Sequence, residues 1–245
     1  MIKLEQICKS FNGQTVLDHL DLKIQPEKIT VIIGESGGGK SVLIKHIIAL
    51  IKPDSGRIIV DGTDITKLND KRLNEFRKNF GMLFQEAALF DSMTVGENVA
   101  FPLIEHTRLS PKKIEDTVRE KLLQVGLKNV MQKMPSELSG GMRKRVGLAR
   151  ALALDPKIIL FDEPTTGLDP IMCDAIDRLI VETQERTRST CVVISHDIES
   201  TFKIAHQVAM LYKGRIIAMG TPDDIKKSDN PKVKQFIEGK AGAPG

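Results

Sequence analysis

The glycine-rich stretch at residues 34–41 constrains this chain more than any other feature. Its residues are Gly34, Glu35, Ser36, Gly37, Gly38, Gly39, Lys40 and Ser41, and the apolar run at residues 29–33 precedes it. A run of that length predicts a buried strand, whereas residues 42–48 carry the apolar pattern of a helix. The sequence therefore predicts a strand, a glycine-rich loop and a helix in direct succession.

Such a loop is suited to holding phosphate groups. Glycines let successive backbone N–H groups turn towards one anion, and the start of the helix adds its own N–H groups and its positive dipole end. At this spacing Lys40 is expected to reach the β- and γ-phosphates of a nucleotide, and the Ser41 hydroxyl to hold Mg²⁺. The expected binding residues are those of the loop and the next one: Gly34, Glu35, Ser36, Gly37, Gly38, Gly39, Lys40, Ser41 and Val42.

Length, composition and charge exclude several classes of protein. The 245 residues are 41% hydrophobic, which is enough for a sizeable core, and no apolar run approaches the roughly 18–20 residues that cross a bilayer. The N-terminus lacks the pattern of a secretion signal. The net charge of +4 is spread among acidic residues, which argues against nucleic acid as a partner. Cys8, Cys173 and Cys191 lack a metal-ligand spacing, so we expect reduced thiols in a cytoplasmic protein.

The segments before the loop alternate between apolar and polar residues. Residues 2–7 and 20–24 show this pattern, and the turn-forming pair Asn12 and Gly13 separates them. The pattern predicts an antiparallel sheet beside the loop. Phe11, just before the turn, could stack on an adenine ring, because an aromatic face binds any base without reading it. A packed core phenylalanine is the alternative from the sequence.

Three further predicted strands end in polar side chains: residues 80–84 with Gln85, residues 158–161 with Asp162 and Glu163, and residues 190–194 with His196. In a parallel sheet the carboxyl ends of strands meet where ligands bind. Neighbours on an extended strand face opposite sides, so we expect Asp162 to hold Mg²⁺ and Glu163 to face an attacking water. The structural alternatives are a surface Gln85, acids that cap a helix, and a structural His196.

A second anion site is expected where Leu138, Ser139, Gly140, Gly141 and Met142 open a helix. Serine is a favoured N-cap, and the two glycines let a ligand approach the exposed N–H groups. The chain thus carries two phosphate-binding helix ends, although one nucleotide rarely needs both.

Residues 86–156 are predicted to be mainly helical. Ser110 and Pro111 start one amphipathic helix, and Asp70 is expected to cap an earlier helix. The apolar residues between 89 and 103 have no clean period, which indicates core or, alternatively, a docking groove for a partner helix.

Together these motifs resemble, from end to end, the nucleotide-binding subunits of ABC transporters. The resemblance implies an α/β fold, the P-loop NTPase ABC cassette, with a RecA-like mixed-sheet core, an N-terminal antiparallel β-subdomain and a helical subdomain. It implies one ABC ATPase domain over residues 1–245, with residues 1–85 and 157–225 as core, residues 86–156 as helical subdomain and residues 226–245 as tail.

The resemblance also implies ATP and Mg²⁺ as cofactors and a head-to-tail pair of subunits. In such a pair Ser139, Gly140 and Gly141 would cap the γ-phosphate held by Lys40 of the other copy. Glu163 would orient and deprotonate water, Gln85 would sense the metal and the water, and His196 would contact the γ-phosphate. The residues expected to bind Mg²⁺ are Ser41, Gln85 and Asp162, and Asp169 joins those expected to contact the nucleotide.

A narrower resemblance links the chain to the ATPases of the Mla and Mce lipid-transport systems. Residues 41–48, 84–95, 98–103, 138–145 and 230–239 carry it. It implies phospholipid transport between the inner and outer membranes, with the chain peripheral at the cytoplasmic face of the inner membrane. The implied partners are an integral-membrane permease, an MCE-domain protein reached through the permease, and a STAS-domain protein.

One signature residue departs from the family, and other functions stay open. Met142 stands where most of the family has glutamine, so we expect no polar contact from that side chain. The alternatives are the ATPase of an amino-acid or lipoprotein transporter and a regulatory ABC ATPase outside transport. A soluble ABC ATPase acting on DNA or ribosomes usually carries two cassettes or a long coiled coil, and this chain has neither.

Overall fold

The computed structural model describes residues 1–239. The strands found there are, in chain order, β1 Ile2–Phe11, β2 Gln14–Ile24, β3 Ile29–Ile33, β4 Ser55–Val60, β5 Thr63–Asp64, β6 Phe80–Leu83, β7 Ile158–Asp162, β8 Thr190–Ile194, β9 Gln207–Tyr212 and β10 Arg215–Gly220. The α-helices are α1 Lys40–Ile47, α2 Asp70–Arg77, α3 Val95–His106, α4 Pro111–Gln124, α5 Gly140–Ala151, α6 Pro170–Thr187, α7 Ile198–Ile204, α8 Pro222–Lys226 and α9 Pro231–Ile237.

The chain forms two compact units. The first comprises Met1–Leu73 together with the described residues from Thr190 onward, and the second is Asn74–Ser189. These limits differ from the predicted subdomain limits at residues 86 and 156, and the predicted limits stay a prediction. The last residues of the predicted tail, 240–245, lie outside the described residues.

The first unit contains the predicted antiparallel sheet. Its strands run in the order β2-β1-β4-β5. Ile2 pairs with Ile24 near one end and Phe11 with Gln14 at the other, so β1 and β2 form a hairpin. Asn12 and Gly13 close it with positive φ angles of 49° and 78°, which asparagine and glycine tolerate better than other residues. The expectation drawn from the alternating pattern is confirmed.

The same unit contains the strand that carries the glycine-rich loop. Strand β3 is buried along its whole length, between β8 and β9, and pairs with both in parallel. Burial on both faces explains why four of its five residues are large and apolar. Strands β9 and β10 form an antiparallel hairpin through Lys213 and Gly214.

The second unit joins two parallel strands, β6 and β7, to helices α3, α4, α5 and α6. Helix starts follow the predicted caps: Ser110 Oγ accepts from the N–H of Lys113 at 3.4 Å, and Ser139 Oγ from that of Met142 at 3.3 Å. Thr94 and Glu97 form a reciprocal capping box at α3. None of the helices in the described part of the chain is both long and apolar enough to cross a membrane.

One predicted cap is wrong. Asp70 is the first residue of α2, whereas Asn69 Oδ1 accepts from the N–H of Arg72 at 3.0 Å. Asparagine is as good an N-cap as aspartate, so the pattern of residue types could not separate the two neighbours.

A buried histidine lies on the helix that follows the glycine-rich loop. His46 on α1 is fully buried, and its Nδ1 lies 2.7 Å from the carbonyl oxygen of Val42. Its Nε2 has no hydrogen-bond partner among the described residues. Burial lowers the pKa of His46 and outweighs the hydrogen bond to Val42, which raises it; the charge of Lys9 adds to the lowering and that of Asp54 opposes it. The folded protein therefore holds a neutral imidazole where the unfolded chain holds one that protonates near pH 6.5.

We expect His46 to make folding stability depend on pH. Because its folded pKa is below the unfolded value, its contribution is complete above about pH 6.5 and is lost as the pH falls below that value. The urea midpoint of the native chain should fall between about pH 7.5 and about pH 5.5 by more than that of His46→Leu. His106→Asn, at an exposed position, should behave like the native chain. Equal pH dependence in the native chain and His46→Leu would contradict the assignment.

Candidate nucleotide and catalytic site

The loop after β3 passes close to the backbone of a neighbouring strand. Gly34 has a φ of 153°, and a Cβ atom built on it would lie 2.3 Å from the carbonyl oxygen of Leu211 in β9. No side chain fits at that distance. Glycine is therefore required there by the approach to β9, independently of any ligand.

The rest of the loop turns into the start of α1. Gly37 and Gly39 have φ angles of 74° and 96°, in the left-handed region that glycine adopts readily. Gly39 is the N-cap residue, and no described side chain caps this helix. Helix starts of this kind bind anions through their N–H groups and dipole. The local geometry is that expected of a phosphate loop.

Lys40 is held inside the loop. Its side chain is buried, and Nζ donates to the carbonyl oxygens of Gly34 and Glu35, both at 2.8 Å. A buried ammonium group is costly unless it is hydrogen-bonded, so these carbonyls fix its position. The exposed loop residues around it are Glu35, Ser36, Gly37 and Ser41, whereas Gly38 and Val42 are half-buried.

His196 lies at the same strand edge as this loop. Ile32 of β3 pairs in parallel with Ile194 of β8, so the loop and His196 follow neighbouring strand ends within the first unit. Ser195 is buried and its N–H donates to the carbonyl oxygen of Ile32 at 3.2 Å, whereas His196 is exposed. This pairing brings together two of the predicted groups.

Phe11 has an open ring at the end of β1. It is 41% exposed, which disfavours the packed-core alternative, and Lys9 Nζ lies 5.3 Å from its ring centroid. A base stacked on this ring would lie beside a positive charge. Stacking by Phe11 stays a prediction.

In the second unit, three predicted catalytic or metal-binding residues follow two paired strands. Leu83 of β6 pairs with Phe161 of β7, so the exposed Gln85 and the half-buried Asp162 and Glu163 lie near one edge. The expectation that Asp162 and Glu163 face opposite sides assumed an extended backbone. That assumption is wrong at Glu163, which has a φ of 49°. Glu163 Oε2 accepts a hydrogen bond from Thr166 Oγ at 3.0 Å, so a turn orients the carboxylate.

The predicted second anion site is a capped helix start. Ser139 is exposed, Gly140 is half-buried and Gly141 is buried against the side chain of Met172. Asp169 caps α6, since its Oδ1 accepts from the N–H of Met172 at 3.0 Å. The predicted contact of Asp169 with nucleotide stays a prediction beside this structural role.

Sequence reasoning missed one residue of this region, Lys144. Only 6% of it is exposed, and its Nζ donates to the carbonyl oxygens of Pro164 at 2.6 Å and Thr166 at 2.8 Å. These carbonyls belong to the turn that directly follows Glu163. Burial lowers the pKa of Lys144, while the charges of Glu86, Cys173 and Glu163 act in the opposite direction.

A signal for this residue exists in the sequence. Lys144 stands three residues after Gly141 and four before Leu148, both of which are buried on the same helix. That spacing places a lysine on the apolar face of α5, where it needs partners of its own.

The candidate functional residues therefore form two groups, one in each unit. The first is a glycine loop with a buried lysine, a helix start and a histidine, which suits the binding of phosphate groups. The second offers an oriented carboxylate, a second carboxylate and an amide, which suit a metal ion and an attacking water.

Comparison with known proteins identifies the family. Residues 17–166, more than half of the chain, match the family model described as ABC transporter. The chain therefore belongs to the ABC transporter family and is an ATP-binding, ATP-hydrolysing subunit of it. The predicted fold class and class of enzyme are confirmed.

Curated relatives are similar over the whole chain. The intermembrane phospholipid transport system ATP-binding protein MlaF of Haemophilus influenzae is 42% identical over 244 residues, which are 100% of this chain and 92% of that protein. The probable ribonucleotide transport ATP-binding protein mkl of Mycobacterium tuberculosis is 42% identical over 243 residues, 99% of this chain and 68% of that protein.

Solved structures agree on the fold. The ATP-binding cassette MJ0796, a dimer bound to ADP and Pi, matches with a TM-score of 0.83 and 31% identity over 91% of this chain and 99% of that one. CbiO1 of Clostridium perfringens, part of the cbiONQ transporter complex, matches with a TM-score of 0.85 and 30% identity over 97% and 98%.

We expect Lys144 to be a positioning residue for Glu163. Lys144→Met removes two charge-assisted hydrogen bonds, worth about 1.5–3 kcal/mol each, and leaves two carbonyls without their donor. ATPase kcat should fall between about 10- and 100-fold, because the turn after Glu163 loses its anchor, while KM for ATP changes little. Lys144→Arg keeps a cation with several donors and should restore part of kcat. Equal loss in both variants, or a change in KM alone, would contradict this role.

Proposed function

We propose that this chain works as one half of a nucleotide sandwich formed by two copies. Two loops would each hold an ATP through Gly34, Gly37, Gly39 and Lys40, and the Ser139 helix start of the other copy would cap the γ-phosphate. The presence of two anion-binding helix starts in one chain supports this arrangement, because a head-to-tail pair uses both. The dimeric form of the cassette MJ0796 supports it as well.

The residues present fit Mg²⁺. Hydroxyl, amide and carboxylate oxygens are the ligands that Mg²⁺ takes, and Ser41, Gln85 and Asp162 supply one of each. Ser41 and Gln85 are exposed and Asp162 is half-buried, so all three are accessible to an ion brought in with ATP. The bound ion would neutralise charge on the phosphate oxygens.

Glu163 is proposed as the general base. Its carboxylate is oriented by Thr166 Oγ, and Lys144 anchors the turn behind it. Phosphoryl transfer depends mainly on positioning and charge, so the chain's own work is to orient the water, accept its proton and hold the phosphates. His196 would contact the γ-phosphate, Gln85 the water, and Phe11 and Asp169 the nucleotide.

Glu163→Gln should separate ATP binding from hydrolysis. The amide keeps the size of the side chain but cannot accept the proton, so turnover should fall about 10² to 10⁴-fold while ATP stays bound. Phosphate release and retention of labelled ATP would be measured on the same protein. Glu185→Gln, an exposed change on α6, is the matched control and should keep native turnover. Near-native turnover in Glu163→Gln would refute the assignment.

We further propose that ATP hydrolysis by this chain drives phospholipid transport between the inner and outer membranes. The observation that carries this proposal is the coextensive match with MlaF, which spans 100% of this chain and 92% of that protein. The mycobacterial relative is equally identical and has a name that refers to ribonucleotide, but the match leaves about a third of that protein uncovered. Ribonucleotide transport is therefore the second candidate.

Under this proposal the chain lies at the cytoplasmic face of the inner membrane as a peripheral subunit. It would bind an integral-membrane permease of the MlaE type and, through it, an MCE-domain protein of the MlaD type. A STAS-domain protein of the MlaB type is a further proposed partner. Nucleic acid is not among the proposed partners, since the basic residues of the chain form no block.

Mass spectrometry of co-purified molecules tests the transport proposal. Tagged Glu163→Gln chain, extracted from its own membranes in mild detergent with ATP present, should bring down a polytopic permease, an MCE-domain protein and phospholipid. Untagged Glu163→Gln chain, treated identically, controls for non-specific lipid. A permease with ribonucleotide as its enriched cargo would favour the second candidate. Recovery of soluble partners alone, such as ribosomal proteins, would overturn transport and leave the ATPase intact.

A further inference from the structure

Strands β1 and β2 bring three different metal-binding side chains together away from the nucleotide loop. A sulfur of Cys8, a carboxylate oxygen of Asp18 and a ring nitrogen of His19 all lie within 4.8 Å of one another. Asp18 Oδ1 and His19 Nδ1 are 2.7 Å apart. Sequence spacing alone gave no sign of this group, because Cys8 is on a different strand from the other two.

A β-bulge produces the cluster. Ile7 pairs with Leu20 and Lys9 with Leu17, so Cys8 on β1 stands opposite two residues of β2, Asp18 and His19. His19 has a φ of 46°, in the left-handed region. Successive strand residues normally face opposite sides, and a bulge of this kind re-aims one of them. Here it lets two neighbouring side chains face the same cysteine.

Hydrogen bonds with neighbouring groups orient the side chains of Asp18 and Cys8, as they do for the ligands of metal sites. Arg215 at the start of β10 binds Asp18 Oδ2 through Nε at 2.9 Å and Nη2 at 2.8 Å, so Oδ1 is the oxygen directed to the cluster. The N–H of His19 donates to Cys8 Sγ at 3.3 Å. Hydrogen bonds to ligating carboxylates and sulfurs fix such ligands in metal sites.

We propose that Cys8, Asp18 and His19 form a binding site for Zn²⁺. One thiolate, one imidazole and one carboxylate are ligand types that zinc takes, and hard ions such as Mg²⁺ and Ca²⁺ do not favour sulfur. In tetrahedral zinc sites neighbouring donors lie about 3.3–3.6 Å apart, so the separations of the three atoms, which are at most 4.8 Å, need to change by about 1.5 Å or less. Water would take the fourth position, because the His19 side chain is 63% exposed and the Asp18 side chain 34%.

Zinc at this place would brace the strand behind the phosphate loop. Val16 and Leu17 on β2 pack against Gly39, where a Cβ atom would lie 3.1 Å from Val16 Cγ1 and 3.4 Å from Leu17 Cδ2. Binding needs the folded hairpin, so zinc should stabilise the folded chain.

Metal titration of the full chain, nucleotide-free and with any histidine tag removed, tests the proposal. We expect one Zn²⁺ per chain by calorimetry, a thiolate-to-metal absorption band when Co²⁺ replaces Zn²⁺, and a melting temperature raised by roughly 5–10 °C at zinc concentrations near 100 times Kd. Cys8→Ser and His19→Asn should each weaken binding at least about tenfold. Asparagine tolerates the left-handed conformation of residue 19, so the second variant keeps the fold.

Cys173→Ser is the matched control, since Cys173 is the other half-buried cysteine and lies in the other unit. It should bind zinc like the native chain. Binding that is equal in the native chain, Cys8→Ser and His19→Asn would overturn the proposal, and so would Co²⁺ binding without a thiolate band. Neither result touches the proposed ATPase function, which uses other residues.

Discussion

A buried lysine that is bound by backbone carbonyls organises each candidate loop. In the first unit Lys40 holds the carbonyls of Gly34 and Glu35, and in the second Lys144 holds those of Pro164 and Thr166. Removing an ammonium group from water is costly, and the carbonyl dipoles offset that cost only while the loop keeps its shape. Each lysine therefore stabilises one backbone conformation of its loop. A loop that is already fixed in this way loses less conformational entropy when it binds phosphate or water.

The structural features that could be predicted from the sequence are those that local residue types determine. Three features depend on residues that are close together in the sequence: the buried strand β3, the Asn12–Gly13 hairpin and the Ser139 cap. The structure has each of them where the sequence pattern predicts it. What could not be predicted depends on distant partners. The burial of Lys144 needs the turn at residues 164–166, and the cluster at Cys8 needs a register shift between two strands. The spacing on α5 indicates that Lys144 is buried, but neither its carbonyl partners nor the cluster at Cys8 is visible in a window of adjacent residues.

The candidate site divides in the same way. Residue types and spacing predicted the loop and placed Gln85, Glu163 and His196 near strand ends, where ligands bind, and the resemblance to ABC transporters supplied their expected roles. The orientation of Glu163 could not be predicted from the sequence, because its left-handed backbone conformation is rare for glutamate and differs from that of an extended strand. The transported molecule could not be predicted either, for another reason. Two relatives of equal identity have names that refer to different cargo, so the shared ATPase residues do not determine it.

Unusual backbone geometry marks a site only together with its neighbours. Asn12, Asp61 and Lys213 have positive φ angles at ordinary hairpin turns, where the chain must reverse. Glu163 and His19 share that geometry, but their side chains are held by Thr166 in one case and by Asp18 in the other. A strained residue costs on the order of 1–3 kcal/mol and persists when its surroundings determine its position. In both places the strain turns a reactive side chain towards defined partners, which a relaxed strand would direct elsewhere.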